Sequence, residues 1–185
     1  MVRPGGRAVR PVLALALLLG LAACGRPAPA APASPYARNA QAQVLAAQLS
    51  LTLLVPSSLP GTPALTVAQP IIPPPIGRSP AENQPGVRLA RIGFGGVLDL
   101  TESNGGLTPA QGAATRQVAV PSAQGGAGTL WPIAYDNLRH TTTLALFVVA
   151  DGTQVQLQSS QLSAAQLAAV AGGLVPVAAG ASEAG

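Results

Sequence analysis

Thr141 to Gln158 reads TTTLALFVVADGTQVQLQ, and the fold turns on this stretch. Thr141 to Ala150 is rich in β-branched and apolar residues, which pack well on a pleated, half-buried surface. Asp151-Gly152 follows, a pair that accepts the positive φ angles of a two-residue hairpin turn. From Thr153 to Gln158, Val155 and Leu157 alternate with glutamines, the period of a strand with one wet face. The pattern predicts a β-hairpin. Its first strand, apolar on both faces, is expected inside a sheet, and its alternating second strand at an edge.

Moving toward the C-terminus, Leu162-Ser163-Ala164-Ala165-Gln166-Leu167 has the spacing of a capping box. Ser163 caps, Gln166 returns a bond to the cap residue, and Leu162 can pack on Leu167 as a staple. The helix is expected to end at Gly172-Gly173, with residues 176–185 an Ala/Gly-rich disordered tail.

Moving back from the hairpin, Leu107-Thr108-Pro109-Ala110-Gln111 repeats the capping logic, with proline at the first helical position. It predicts a short helix to about Val118. Asn104-Gly105-Gly106 and Gly125 to Gly128 read as breaks. Between Val87 and Leu100 two readings stay open. Leu89, Ile92 and Gly96 fit a helix face, whereas Val87 with Leu89 and Ile92 with Phe94 fit strands. Gly93, Gly95 and Gly96 each cost an isolated helix about 1 kcal/mol relative to alanine. Residues 86–175 are thus expected to form a small α+β domain with a β-hairpin and two or three short helices.

Residues 56–85 hold nine prolines, including Pro73-Pro74-Pro75. Proline removes a backbone donor and forces its predecessor out of the helical region, so a linker without regular structure is expected. Residues 36–55 read as a helix that frays near Pro56, although Leu51 to Val55 reads equally well as a strand. Gly25 to Pro35 (GRPAPAAPASP) is a semi-rigid Pro/Ala spacer. The expected domain is therefore preceded by a disordered Pro-rich stalk.

At the start of the chain, Arg3, Arg7 and Arg10 stand without an acid, and Val12 to Ala23 is almost wholly apolar. That run matches a signal h-region and falls short of the ~20 residues a spanning helix needs. It ends in Leu21-Ala22-Ala23-Cys24, which contains the chain's one cysteine. This segment resembles the signal peptide and lipobox of bacterial lipoproteins. The resemblance implies removal of residues 1–23 by cleavage between Ala23 and Cys24. It also implies a diacylglycerol on the Cys24 sulfur and, in many members, acylation on nitrogen by chains such as palmitate. Residues 24–35 then become a lipidated tether in the cell envelope, on the outer face of the cytoplasmic membrane or on the outer membrane. Gly25 stands where some inner-membrane lipoproteins carry a retaining aspartate, which makes the outer membrane the default in a two-membrane host. A second resemblance concerns Leu107-Thr108-Pro109-Ala110-Gln111, which matches the LTxxQ motif of small periplasmic stress chaperones. Leu162-Ser163-Ala164-Ala165-Gln166 is similar to a second copy. Those proteins are long, charged helices, whereas this chain is 9% charged.

Without residues 1–23 the chain keeps seven arginines, no lysine and six acids, a net charge near +1. No basic run or aromatic-basic interleaving remains, so no nucleic-acid partner is expected. A lipidated Cys24 leaves no thiol for a disulfide, and the fold must rest on apolar burial.

Chemistry finds little foothold. His140 is the single histidine, which rules out a multi-histidine metal site and a catalytic relay with a spare base. It can meet Asp136, four residues earlier, as a solvated contact. Asp99 and Glu102 are a conceivable carboxylate pair and read as the wet end of an element. Gly93-Phe94-Gly95-Gly96 fails the GxGxxG spacing at Leu98 and lacks a GK[ST] ending. Asp136-Asn137 and Asp151-Gly152 are too sparse for a calcium loop. Trp131, with Pro132, Ile133 and Tyr135 close by, is the one aromatic cluster, and Trp131 and Tyr135 are the candidate ligand contacts. No catalytic residue, metal or cofactor is predicted. The expectation is a non-catalytic envelope protein that binds or supports a protein partner. The alternatives are a lipid-anchored ligand-binding protein or enzyme with a site near Trp131 to His140, and an LTxxQ-type chaperone.

Overall fold

Glycine and Asp-Gly turns close antiparallel strand pairs in the structure, a computed structural model that describes residues 34–71, 86–121, 126–138 and 140–178. Helix α1 (Ala40–Leu49) is followed by strands β1 (Leu54–Pro56), β2 (Leu65–Pro70), β3 (Leu89–Phe94) and β4 (Leu98–Ser103). Then come β5 (Arg116–Val120), β6 (Gly126–Asp136), β7 (Thr141–Ala150) and β8 (Thr153–Ser159). Helix α2 (Ala164–Gly172) and β9 (Leu174–Pro176) complete the described elements. Seven strands form one antiparallel sheet in the order β2-β3-β4-β8-β7-β6-β5, and β1 pairs with β9 in a separate two-stranded ribbon. With nine strands and two helices among the described residues, the body is mostly β, more so than the α+β expectation.

Strand alternation sorts the sheet into two faces. Ile92, Phe94, Leu98, Leu100, Leu157, Leu146 and Leu130 share one face and are all buried. A second layer covers them: α1 over β2 and β3, α2 over β5 to β8, and the segment from Thr52 into β1 against β4 and β8. Leu45, Leu53, Leu54 and Leu167 fill the interface from that layer, and the Tyr36 ring meets Phe94 edge-on at 4.9 Å. Each fully buried leucine or phenylalanine contributes about 1.5–3 kcal/mol. The other face carries Arg91, Thr101 and Gln156 on the successive strands β3, β4 and β8, and Gln117 on β5. Leu107, in the connection from β4 to β5, is buried there, and its N–H donates to Gln154 Oε1 at 2.9 Å.

The hairpin forms as expected. Ala150 pairs with Thr153, and Asp151 and Gly152 both have positive φ, 47° and 76°. β7 lies inside the sheet. β8 does too, between β4 and β7, so its predicted edge position is overturned. Its glutamines lie on the open face. Alternation reports solvation of one face and says nothing about how many neighbours a strand has. The second capping box also forms: Ser163 Oγ accepts from Gln166 N–H at 3.3 Å, and Gln166 Oε1 accepts from Ser163 N–H at 2.9 Å. α2 ends at Gly172, with Gly173 as its C-cap.

Other expectations are corrected. The helix predicted from Thr108 to Val118 is absent. Residues 107–115 are irregular and Arg116–Val120 is β5, because pairing with β6 claims that backbone. Between Val87 and Leu100 the strand reading holds, and Gly95 (φ 52°) and Gly96 (φ 73°) make the turn between β3 and β4. Residues 36–55 divide into α1 and the start of β1, with Ser50 at φ 47° ending the helix. The 56–85 stretch is not wholly irregular, since β2 lies within it and pairs with β3 on the sheet margin, a setting that tolerates its terminal Pro70. Nor does the body begin at residue 86: α1 packs on β2 and β3, β2 pairs with β3, and β1 pairs with β9. The last tether residues dock as well, with Ser34 Oγ donating to Pro56 O at 2.6 Å. At the other end, Val177 N–H donates to Leu53 O and Ala178 N–H to Ala37 O, so the tail starts no earlier than residue 179. Residues 1–33, 72–85, 122–125, 139 and 179–185 fall outside the described residues, as do the expectations placed on them.

Candidate functional site

β6 and β7 outrun their neighbours. β8 leaves β7 at the Ser159–Leu144 pair, and β5 leaves β6 at the Arg116–Leu130 pair. Beyond these points β6 and β7 pair only with each other among the described residues, through Tyr135–Thr142 to Asp136–Thr141. The result is a protruding two-stranded arm. Its base carries a register shift between Pro132 and Ala134, where a residue without an N–H falls at the place both flanking strands stop. At the tip, Asp136 Oδ1 accepts from Leu138 N–H at 2.9 Å and His140 turns the chain with φ 52°. Asp and His are among the residues that tolerate such turn geometry best.

The arm exposes apolar surface. Ile133 is 46% exposed, Tyr135 54% and Leu138 93%. Tyr135 Oη lies 3.3 Å from His140 Nδ1, so the two side chains order one another. Trp131, at the base, is buried opposite Ala145, and is thus an anchor rather than an open stacking platform. Beside it lies a hollow of about 260 Å³ lined by Ala114, Arg116, Leu130, Trp131, Pro132 and Leu144. Of the predicted contacts, the structure joins Tyr135 to His140 and leaves Trp131 at the other end of the arm. The arm itself escaped sequence reasoning. Its signal was the length of β6, eleven residues against five in β5 and seven in β8.

Asp99 and Glu102 do not form a pair. They lie on opposite faces of β4, three residues apart. Asp99 Oδ1 meets Arg91 Nη2 at 3.1 Å on the open face. Glu102, read from sequence as a wet position, is fully buried between Ala90 and Val155. The signal was present: Leu98, Leu100 and Glu102 keep strict alternation on the apolar face. Glu102 Oε2 accepts from Leu54 N–H at 2.8 Å, and Oε1 has no hydrogen-bond partner. Burial lifts this carboxyl to about 8, against the lowering effect of the Leu54 bond.

Gly93 and Phe94 end β3, and Gly95 and Gly96 make its turn to β4. Among the described residues no three His, Cys, Asp or Glu side chains gather to hold a metal ion, and no helix is long and apolar enough to cross a membrane. Ala23 and Cys24 lie outside the described residues. Comparison of the chain with protein-family models, with curated proteins and with solved structures finds no match.

Proposed function

We propose that this chain is a bacterial lipoprotein held on an envelope membrane through lipid at Cys24, and that its β-rich body offers the β6–β7 arm to an envelope protein as a non-catalytic binding or structural partner. The arm carries this reading. A hairpin with exposed Ile133, Tyr135 and Leu138, and with both strand edges unpaired among the described residues, presents the features that natural proteins normally suppress unless a partner uses them. Aromatic and large apolar side chains are also those that anchor interfaces. The signal segment and Leu21-Ala22-Ala23-Cys24 support the anchor.

The test has two arms. Cys24→Ser should move the protein from the membrane to the soluble fraction, and retention at the processed size would end the lipid reading. A photo-crosslinker at Leu138 should give one discrete envelope adduct in cells. Ile133→Ser with Tyr135→Ser should abolish that adduct while leaving the thermal melt unchanged, and an adduct that survives the pair would end the docking reading.

The hollow beside Trp131 favours a second reading, a small-ligand site in which Arg116 receives an anionic group. Its volume, just below the ~300–1,000 Å³ of sites for drug-sized ligands, limits it to small molecules. Trp131 is the only tryptophan, so its fluorescence reports occupancy directly. The chaperone reading draws less support, because the first LTxxQ copy does not open a helix.

A further inference from the structure

Glu102 is the one acid among the described residues that is buried without a cation or a second donor. Its single hydrogen bond reaches out of the sheet to β1, whose Leu54 N–H it accepts. β1 in turn is held by β9, by burial of Leu54 and Val55 in the core, and by a few further bonds: Ser34 Oγ to Pro56 O, Ser57 N–H to Gly173 O, and Val177 N–H to Leu53 O. The ribbon is three residues long on each strand and sits directly over the carboxyl group. We propose that Glu102 is a proton-controlled latch on this ribbon: loss of its proton releases β1 and β9 from the sheet and with them the segment that leads from α1 toward the N-terminus.

No neighbouring charge offers the carboxylate an alternative. α1, β1, β8 and β9 contain no ionisable residue. On β3, Arg91 points to the opposite face and pairs with Asp99, while the flanking Arg88 donates to the Leu49 and Ser50 carbonyls at the end of α1. Tyr36, buried in the same layer, has a hydroxyl without a partner and a pKa raised by burial, so it presents no charge either. A carboxylate formed here keeps one N–H bond and must otherwise find water, and water reaches it most cheaply by lifting the short ribbon. In the closed state the group holds its proton up to about pH 8, whereas solvated it would lose it near 4.5. Opening therefore releases a proton between those values and becomes more favourable as pH rises, about tenfold per pH unit, levelling above 8. Where Cys24 carries lipid, a consequence that rests on the anchor reading, each residue released adds up to about 3.3–3.6 Å of reach from the membrane.

Native-state hydrogen exchange on the full chain between pH 5 and 8, corrected for intrinsic rates, tests the latch whether or not lipid is attached. The amides of Leu54, Ser57 and Val177 should show an opening constant that rises about tenfold per pH unit, with a denaturant dependence well below that of global unfolding, since only the ribbon's surface is exposed. Glu102→Gln, which keeps an acceptor for Leu54 and cannot ionise, should make it flat. The proposal fails if these amides open only with the strong denaturant dependence of central β7 and β8 amides, or if the pH slope survives in Glu102→Gln.

Discussion

Gly172, the last residue of α2, offers a direct test of how the helical layer seats on the sheet. A Cβ at this position would lie 1.9 Å from Pro121 O and 2.7 Å from Pro121 C, atoms of the backbone that leaves β5. Contacts of that kind do not occur below 3.0 Å, so Gly172→Ala must separate helix and strand by at least 3.0 − 1.9 = 1.1 Å. The helix cannot yield freely, because Leu167, Ala168, Val170 and Ala171 bury its inner face. Overpacking of this kind costs about 1–3 kcal/mol, occasionally more, and a shift on the order of an ångström loosens those four side chains as well. Alanine regains up to about 1 kcal/mol of helix propensity. The net expectation is a loss of about 2 kcal/mol, or about 4–8 °C in Tm for a chain of this size. Two controls fix the mechanism. Gly105→Ala meets open space, and Gly173→Ala meets Ser57 Oγ at 2.7 Å, the end of a rotatable side chain. Both should fall within about 1 kcal/mol of the parent in urea unfolding. If Gly172→Ala melts with Gly105→Ala, the close approach of α2 to Pro121 is wrong and the reasoning fails.

Four further outcomes follow from the same geometry. Ser163→Ala removes one half of the α2 capping box and should cost about 1 kcal/mol in urea unfolding, with Ser163→Asp restoring most of it. Gly152→Val places a β-branched side chain at φ 76° and should destabilise the β7–β8 hairpin by about 1–2 kcal/mol, read as a Tm loss. Arg91→Ala breaks a pair whose partners are 48% and 40% exposed, so the change should stay below about 1 kcal/mol and shrink further in 1 M salt. Global stability carries the Glu102 signature too. The folded carboxyl at about 8 against an ordinary 4.5 gives stability that is full below pH 4.5 and lost as pH rises toward 8. Denaturation at pH 5 and at pH 8 should therefore differ by about 3–4 kcal/mol from this group, and Glu102→Gln should remove that difference.

The features legible in the sequence were those whose partners lie within a few residues. Asp151-Gly152 makes its turn because both residues accept positive φ, and Ser163 with Gln166 closes a box across a single helical turn. The central place of β7 followed from an apolar run that no one-sided strand would carry. The same local logic failed at Leu107-Thr108-Pro109-Ala110-Gln111, where an equally good box opens no helix. There Leu107 is drawn onto the open face and Arg116–Val120 gains five residues of pairing with β6.

Of the candidate site, the aromatic residues were visible and the arm was not. A hairpin becomes an arm only when β5 and β8 stop short of its tip, and those stopping points belong to other segments of the chain. Glu102 shows the division most sharply. Its alternation with Leu98 and Leu100 lies in the sequence, yet a carboxylate near the end of an element reads there as a wet position. That the face would be sealed by β1, contributed by residues 48 positions away, was decided by tertiary packing alone. Turns, caps and strand faces are short-range consequences of backbone sterics and side-chain period. Strand order, edge exposure and the burial of a charge depend on which distant segment wins each hydrogen-bonding edge, and only the folded chain settles that competition.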